Sequence, residues 1–421
     1  MPKIMEIEGT DDLHDFNSCR ISSLEEEDEV EERNDEVEVE EEDEEDEEEV
    51  EVPVTLGFVE KPKSPFFLLR ELFPSKAGGV PAWLNPVDLP SGQACVCDIC
   101  REPLQFLLQV YAPLSEKEST FHRTLFLFMC SSMTCLLQDQ HEQWKRKPEK
   151  RNRSVKIFRS QMHRSNSFYS SEPPKYDETD KPSGCGAALC SWCGTWKGEK
   201  ACSNCRKARY CSEKHQVLHW RMGHKSDCSR IELSSPSSDS LLNKSQNNLS
   251  ASCRVASNTL WPEFEIVNEE ESMYDTNVPE AGSSATSLFS NSQLDETFNS
   301  ILDKFEGNDD RKSWASFQER IVKAPQQVLR YCREPKAKPL WPMSSGRPSQ
   351  VDIPTCNYCS GPLLFEFQVL PQLLYYFGVR NDPDSLDWAT LAVYTCAASC
   401  EGTVSYREEF AWVQLASPST M

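Results

Sequence analysis

Residues 97–114 read CDICREPLQFLLQVYAPL, and residues 356–373 read CNYCSGPLLFEFQVLPQL. At a constant offset Cys97, Cys100, Pro103, Leu104, Phe106, Gln109, Val110 and Leu114 recur as Cys356, Cys359, Pro362, Leu363, Phe365, Gln368, Val369 and Leu373. Apolar residues follow each C-x2-C at alternate positions, Leu104, Phe106, Leu108 and Val110 in one copy and Phe365, Phe367 and Val369 in the other. That period of two marks a strand. Each copy then reaches a second apolar segment ending in cysteines, TLFLFMC to Cys130 and Cys135, and TLAVYTC to Cys396 and Cys400. A unit of pair, strand, strand and pair that occurs twice is an internal repeat, so the chain holds two related β-rich modules.

Between them, residues 190–228 carry eight metal-ligand side chains in four pairs: Cys190/Cys193, Cys202/Cys205, Cys211/His215 and His224/Cys228. Zinc takes four Cys or His ligands tetrahedrally, and C-x2-C sets two thiolates on one tight turn, so eight ligands make two sites. The pairs bind either sequentially, first with second, or in a cross-brace, first with third and second with fourth. Cys97, Cys100, Cys130 and Cys135 offer one further four-thiolate site, and Cys356, Cys359, Cys396 and Cys400 another. A metal across two strand ends would stabilise a small β module; the other reading is buried reduced cysteine packing as a small hydrophobe. Cys185 and Cys253 flank the finger as incidental thiols, and His219 falls on a helix face outside the ligand pattern.

The 421 residues hold 44 Lys and Arg against 68 Asp and Glu, a formal charge of −24. Residues 25–51 alone hold 21 acidic residues and one Arg, so the acidity belongs to a tail that repels itself and buries nothing. The start of the chain has no apolar signal core, and no apolar run reaches the roughly 18–20 residues that span a bilayer. With 19 cysteines set at metal-ligand spacing, a reducing compartment is expected.

The expected organisation is a disordered acidic arm over 1–53, a β-rich module over 54–135, a basic linker over 136–184 and the finger over 185–228. A disordered Ser/Asn/acidic linker over 229–290, a helical segment over 291–331 and a second β-rich module over 332–421 follow. Leu294, Phe298, Ile301, Leu302 and Phe305 recur at helical spacing, and Trp314, Phe317, Ile321 and Val322 mark a second helix stopped near Pro325. The basic residues of 145–164, with KRKPEKRNR, read as a nuclear localisation signal, an RNA contact or solvated linker charge.

No H-E-x-x-H, G-x-S-x-G or phosphate-loop motif is present, so no enzyme is expected. Cys95 and His122 share a module, but nothing in the pattern selects them as nucleophile and base, and His122 reads as a surface strand-edge histidine.

Residues 202–228, CSNCRKARYCSEKHQVLHWRMGHKSDC, resemble a MYND zinc finger. The resemblance implies the cross-brace: Cys190, Cys193, Cys211 and His215 on one zinc, Cys202, Cys205, His224 and Cys228 on the other. It also implies that Gln216 and Trp220 form a shallow groove for proline-containing peptides; packing of Trp220 beneath the finger is the alternative. Over most of 54–415, LGFVEKP, LFPSKAGGVPAWLNP, WPEFEIV, FEFQVLPQLL, LDWATLAVYTC and EEFAWVQ resemble the programmed cell death protein 2 family, and the acidic arm resembles its plant branch. The expected fold is multi-domain and mainly β with small α: two related β-rich modules flanking a cross-brace two-zinc MYND finger, plus a disordered acidic arm and linkers. The resemblance implies a zinc-binding adaptor and dedicated chaperone of nucleus and cytoplasm. Such a protein captures a basic small-subunit ribosomal protein during its synthesis and supports 40S ribosome biogenesis. The alternative is a nuclear corepressor-type scaffold recruiting partners through proline-containing peptides.

Overall fold

The computed structural model describes residues 52–145, 152–174, 186–233, 255–274, 308–380, 382 and 384–415. The acidic stretch, residues 146–151, the positions Leu294 to Phe305, Cys185 and Cys253 lie outside the described residues. In chain order the strands are β1 (Thr55–Glu60), β2 (Lys76–Ala77), β3 (Gln105–Tyr111), β4 (His122–Met129) and β5 (Val155–Met162), with helix α1 (Met133–Trp144) before β5. The finger holds β6 (Lys200–Ala201), β7 (Arg209–Tyr210), α2 (Glu213–His219) and α3 (Lys225–Leu233). After it come β8 (Phe264–Glu270), α4 (Asn308–Lys323), β9 (Leu329–Tyr331), β10 (Leu363–Val369), α5 (Gln372–Tyr376), β11 (Thr390–Cys396) and β12 (Arg407–Gln414).

The repeat is legible residue by residue. Strands β3 and β10 each carry a register slip at the matching place, between Phe106 and Leu108 and between Phe365 and Phe367. Gln109 and Gln368 do the same work on the outer face. Gln109 accepts from the Ala82 amide at 2.8 Å and donates to the Pro74 carbonyl at 2.9 Å. Gln368 accepts from the Leu340 amide at 2.6 Å and donates to the Leu340 carbonyl at 2.9 Å. Each glutamine thus satisfies the backbone of a loop lying over its half.

The two modules are not separate bodies. Ten strands close into one barrel in the order β1-β8-β2-β3-β4-β5-β12-β11-β10-β9. The halves join antiparallel at two seams, Arg407 to Glu409 against Arg159 to Ile157, and Thr55 to Gly57 against Tyr331 to Leu329. Closure removes the edges that each half alone would leave unpaired. Gly57 lies in a seam, where a Cβ would stand 3.0 Å from Ile266 and 3.1 Å from Leu329, so no larger residue fits without a shift.

Alternation then sorts side chains to two faces. Leu125, Leu127 and Met129 of β4 fill the barrel with Val155, Ile157, Val369, Val393 and Val413. Phe126, Phe128 and Phe158 face outward into a second cluster shared with the finger. One end of the lumen is ionic. Arg123 on β4 grips Glu366 on β10 through both guanidinium nitrogens, at 2.5 and 2.7 Å, with both side chains wholly buried. Tyr331 and Thr395 donate to the same carboxylate, and Arg159 pairs Glu409 across the β5–β12 seam at 2.5 Å.

Several expectations change. The span taken as a basic linker contains α1 and the central strand β5. There Arg153 pairs Asp139, Lys156 pairs Asp98 and Arg159 pairs Glu409, each base nine-tenths buried or more. These three charges, placed in a linker by the sequence reading, are counter-charged inside the fold. Strand β8 falls within the span assigned to a disordered linker, and β9 within the span assigned to helix. Helix α4 stops at Lys323, ahead of Pro325. His122 is not a surface histidine: it is 5% exposed, stacked on Phe73 with ring centres 4.2 Å apart. Among the described residues no helix is long and apolar enough to cross a membrane.

Replacing Glu366 with Gln leaves Arg123 buried without its counter-charge, a loss of about 3–5 kcal/mol. Urea unfolding followed through the near-ultraviolet signal should show one transition at a lower midpoint. Two transitions, one for each half, would contradict the single barrel. Phe365→Asp should likewise unfold both halves together.

Candidate metal centres

Four turns of one design carry the C-x2-C pairs. In each, the residue four positions after the first cysteine donates its amide to that cysteine's carbonyl and adopts a left-handed backbone. These are Arg101 (φ 63°, 3.0 Å), Gly194 (φ 66°, 2.8 Å), Arg206 (φ 54°, 3.0 Å) and Ser360 (φ 59°, 2.8 Å). Only one is glycine, so three turns accept a conformational cost of roughly 1–3 kcal/mol that something at the thiols must outweigh.

The turns converge on four clusters: Cys97, Cys100, Cys130 and Cys135; Cys190, Cys193, Cys211 and His215; Cys202, Cys205, His224 and Cys228; and Cys356, Cys359, Cys396 and Cys400. Within each, the ligand atoms lie within 4.8 Å of one another. Sulfur pairs stand at 3.6 Å (Cys100–Cys130), 3.8 Å (Cys193–Cys211), 3.8 Å (Cys202–Cys228), 3.7 Å (Cys356–Cys400) and 3.6 Å (Cys359–Cys396). A zinc–sulfur bond of about 2.3 Å gives a tetrahedron edge of about 3.8 Å, so the donor sets fit this metal. The finger pairs first with third and second with fourth, the cross-brace. Its histidines present different nitrogens: Nδ1 of His215 lies 3.1 Å from the Cys211 sulfur, and Nε2 of His224 lies 3.6 Å from that of Cys205.

Within the clusters the surroundings favour thiolate at some sulfurs and raise others, Cys130, Cys211 and Cys400 among them. The Cys130 thiol beside Cys97 holds it well below the usual thiol range, at about 5. Cys193 and Cys211 pull Cys190 down in the same way, and the Gly361 amide lowers Cys359. Metal ligation requires deprotonated sulfur, so each of these clusters holds a thiol prepared for it. Two outer donors escaped the sequence reading. Asn204 directs its side-chain amide to the Cys228 sulfur at 3.2 Å, and Arg159 directs its guanidinium to the Cys400 sulfur at 3.7 Å. Asn204 sits inside a C-x2-C and was within reach of inspection. Arg159 comes from β5, remote in sequence, and carries no local signal.

Position in the fold separates the clusters. The first lies where β3 begins and β4 ends, the fourth where β10 begins and β11 ends. Because β5 and β12 run antiparallel at the seam, those places are opposite ends of the barrel. The finger docks on the outer face of β3, β4 and β5. Trp196, 1% exposed, donates to the Leu104 carbonyl at 2.8 Å and packs 4.4 Å from Phe128. Trp83 donates to the Thr195 carbonyl at 2.9 Å. The finger is therefore packed onto the barrel through buried side chains. A π-type turn over Trp220–His224, with Gly223 at φ 140°, redirects the chain so that His224 enters the second site. Gln216 is half-buried on α2. Trp220, one turn on, is 39% exposed beside exposed Val217 and Met222, its ring edge-on to His224 at 5.9 Å. His219 bonds Tyr210 through Nδ1 at 3.1 Å and ligates nothing.

Cys95 and His122 are not brought together. The Cys95 thiol donates to the Pro90 carbonyl, and burial pushes it up to about 12. It lies at the Leu104 end of β3, whereas His122 Nδ1 bonds Tyr111 at the other end, roughly 20 Å of strand away.

The profile of the N-terminal domain of programmed cell death protein 2 matches residues 53–176, that of its C-terminal domain matches 311–415, and that of the MYND finger matches 190–228. A MYND finger implies zinc. "Programmed cell death protein 2" of Bos taurus is 39% identical over 370 residues, covering 86% of this chain and 96% of the bovine protein. "Programmed cell death protein 2-like" of Homo sapiens is 25% identical over 347 residues, covering 77% and 85%. "Probable 20S rRNA accumulation protein 4" of Schizosaccharomyces pombe is 30% identical over 120 residues, covering 24% and 28%. No solved structure matches the chain.

Cobalt(II) titration of reduced protein reads the clusters through thiolate-to-metal absorbance. Cys97→Ser should remove one cluster's share of that signal. Cys95→Ser should leave the signal unchanged and shift stability by about 1 kcal/mol at most, the scale of one hydrogen bond.

Proposed function

This chain belongs to the programmed cell death protein 2 family, and we propose that it is a non-catalytic zinc-binding adaptor, a dedicated chaperone for a basic small-subunit ribosomal protein. It captures that protein as it is synthesised, screens its charge and supports 40S ribosome biogenesis between cytoplasm and nucleus. The observation that carries the reading is the charge of residues 25–51, 21 acidic side chains against one Arg, beside a remainder that is nearly neutral. Such an arm attracts a basic client at long range and cannot choose among clients, so specificity belongs to the folded barrel. The fission-yeast relative, whose name refers to accumulation of 20S rRNA, supports the same direction. Zinc fills both finger sites and both four-cysteine clusters, four ions in all, and acts as a structural tie.

A second reading, a nuclear scaffold for proline-containing peptides, is favoured by exposed Trp220 one turn from Gln216. Crosslinking to nascent chains during translation separates the two. A basic ribosomal protein of the small subunit supports the chaperone, and a set of chromatin factors supports the scaffold.

Native mass spectrometry should find four zinc ions; fewer than two would remove the finger's cross-brace from the argument. Deleting residues 1–51 should slow capture of the ribosomal protein and flatten its salt dependence without changing which client is bound, because a Debye length near 8 Å at physiological salt screens a diffuse arm first. Equal association rates across a salt series for full-length and shortened chains would reduce the arm to a solubility tail.

A further inference from the structure

Of the basic segment that stood out in the sequence, Arg153, Lys156 and Arg159 are buried and paired. Among the described residues, exposed positive charge gathers on the finger. Residues 186–230 hold nine Lys and Arg against three Asp and Glu on a chain whose formal charge is −24. All nine bases are exposed. Lys200, Lys214 and Arg230 have carboxylate partners in Glu213, Glu102 and Asp227. The other six, Lys197, Arg206, Lys207, Arg209, Arg221 and Lys225, have no ion pair among the described residues.

The metal clusters hold part of this charge together. Arg206 and Lys207 follow Cys205 on the tip of the β6–β7 turn, while Arg221 and Lys225 flank His224 on the helical side. Cys205 and His224 belong to one cluster, with ligand atoms 3.6 Å apart. The fold therefore brings four cations around one site. Two three-thiolate, one-histidine zinc sites would offset only about −1 each, leaving a surplus of about +4. Unpaired like charges gathered on one small module are costly in isolation, and such a local conflict marks a binding surface.

From these charges we infer that the finger's exposed face binds the phosphate backbone of single-stranded RNA. The neighbouring surface favours a nucleic acid over an acidic protein segment. Trp220 is 39% exposed, with Val217 and Met222 exposed beside it, and an aromatic face next to a cationic surface accepts stacked bases. A run of carboxylates has no group to stack there. The inference is independent of the ribosomal client, and either can fail alone.

The test is fluorescence anisotropy of a labelled 20-nucleotide uridine homopolymer titrated with the full-length zinc-loaded protein over a salt series. Arg206→Glu with Lys207→Glu, and separately Arg221→Glu with Lys225→Glu, should each weaken binding at least tenfold. Each should also flatten the salt slope by about 1.4, at roughly 0.7 per lost phosphate contact. Native mass spectrometry should show their zinc content unchanged. The control Lys336→Glu with Lys338→Glu, exposed cations on the far half of the barrel, should match the unaltered protein. Three results overturn the inference: no RNA binding at low salt, equal loss in the control pair, or displacement of the RNA by an equal concentration of an acidic peptide of the same charge. The last would assign the face to acidic protein segments.

Discussion

Arg123 reaches across the lumen from β4 to hold Glu366 on β10, and the architecture depends on that contact. The two strands are not neighbours in the sheet; β5, β12 and β11 lie between them. Both groups are wholly buried, and Glu366 is the carboxylate that pairs Arg123, while Arg333 stands 3.5 Å from the same carboxylate. A half-barrel alone would expose an open edge and strand one charge in an apolar interior. The pair thus ties the repeat copies into one closed sheet. It does so at the bulge that gives β10 its extra residue, since Glu366 is the position skipped in the ladder.

The cysteine clusters extend the same constraint to the ends of the barrel. Each of the two four-cysteine clusters ties the start of one strand to the end of the next. The Cys396–Cys400 turn is also held by cations from both halves. Arg159 and Arg407 donate to the Cys400 carbonyl at 3.2 and 2.6 Å, and Arg333 donates to the Cys396 and Ala397 carbonyls at 3.0 and 2.8 Å. The Glu409 carboxylate accepts from the Cys396 amide while pairing Arg159. The geometry of that cysteine cluster and closure of the seam are consequently coupled through shared residues, not merely adjacent.

The outer faces of the two halves meet different fates. On the first, Phe126, Phe128 and Phe158 are covered by Trp83 and the docked finger. On the second, Phe365, Tyr394, Phe410 and Trp412 are covered by local chain carrying Ala337, Trp341 and Ile353. The finger is thus the point at which the copies diverge. One copy carries the cationic finger over its outer face; the other carries local chain. Charge follows this division: acidic residues concentrate in the N-terminal stretch and exposed bases on the finger.

Features that depend on residue spacing were legible in the sequence alone. All sixteen cluster ligands, the cross-brace once the finger was recognised, the repeat, strands β3, β4, β10 and β11 and the acidic stretch follow from patterns a few residues long. The physics behind them is local: a C-x2-C turn sets two sulfurs side by side, and a pleat alternates faces. Tertiary structure decided what needs a remote partner. Lys156 and Arg159 read as a localisation signal, an RNA contact or solvated charge because a charge carries no mark of its counter-ion, and Asp98 and Glu409 lie far along the chain. β8 looked like linker because glutamates on its outer face mask its single buried interior residue, Ile266. His122 looked exposed because Phe73, which covers it, comes from a separate segment. Two modules looked independent because period two shows that a strand has a buried face but not which edge it pairs with. Only the fold shows that the free edges of each half pair with those of the other.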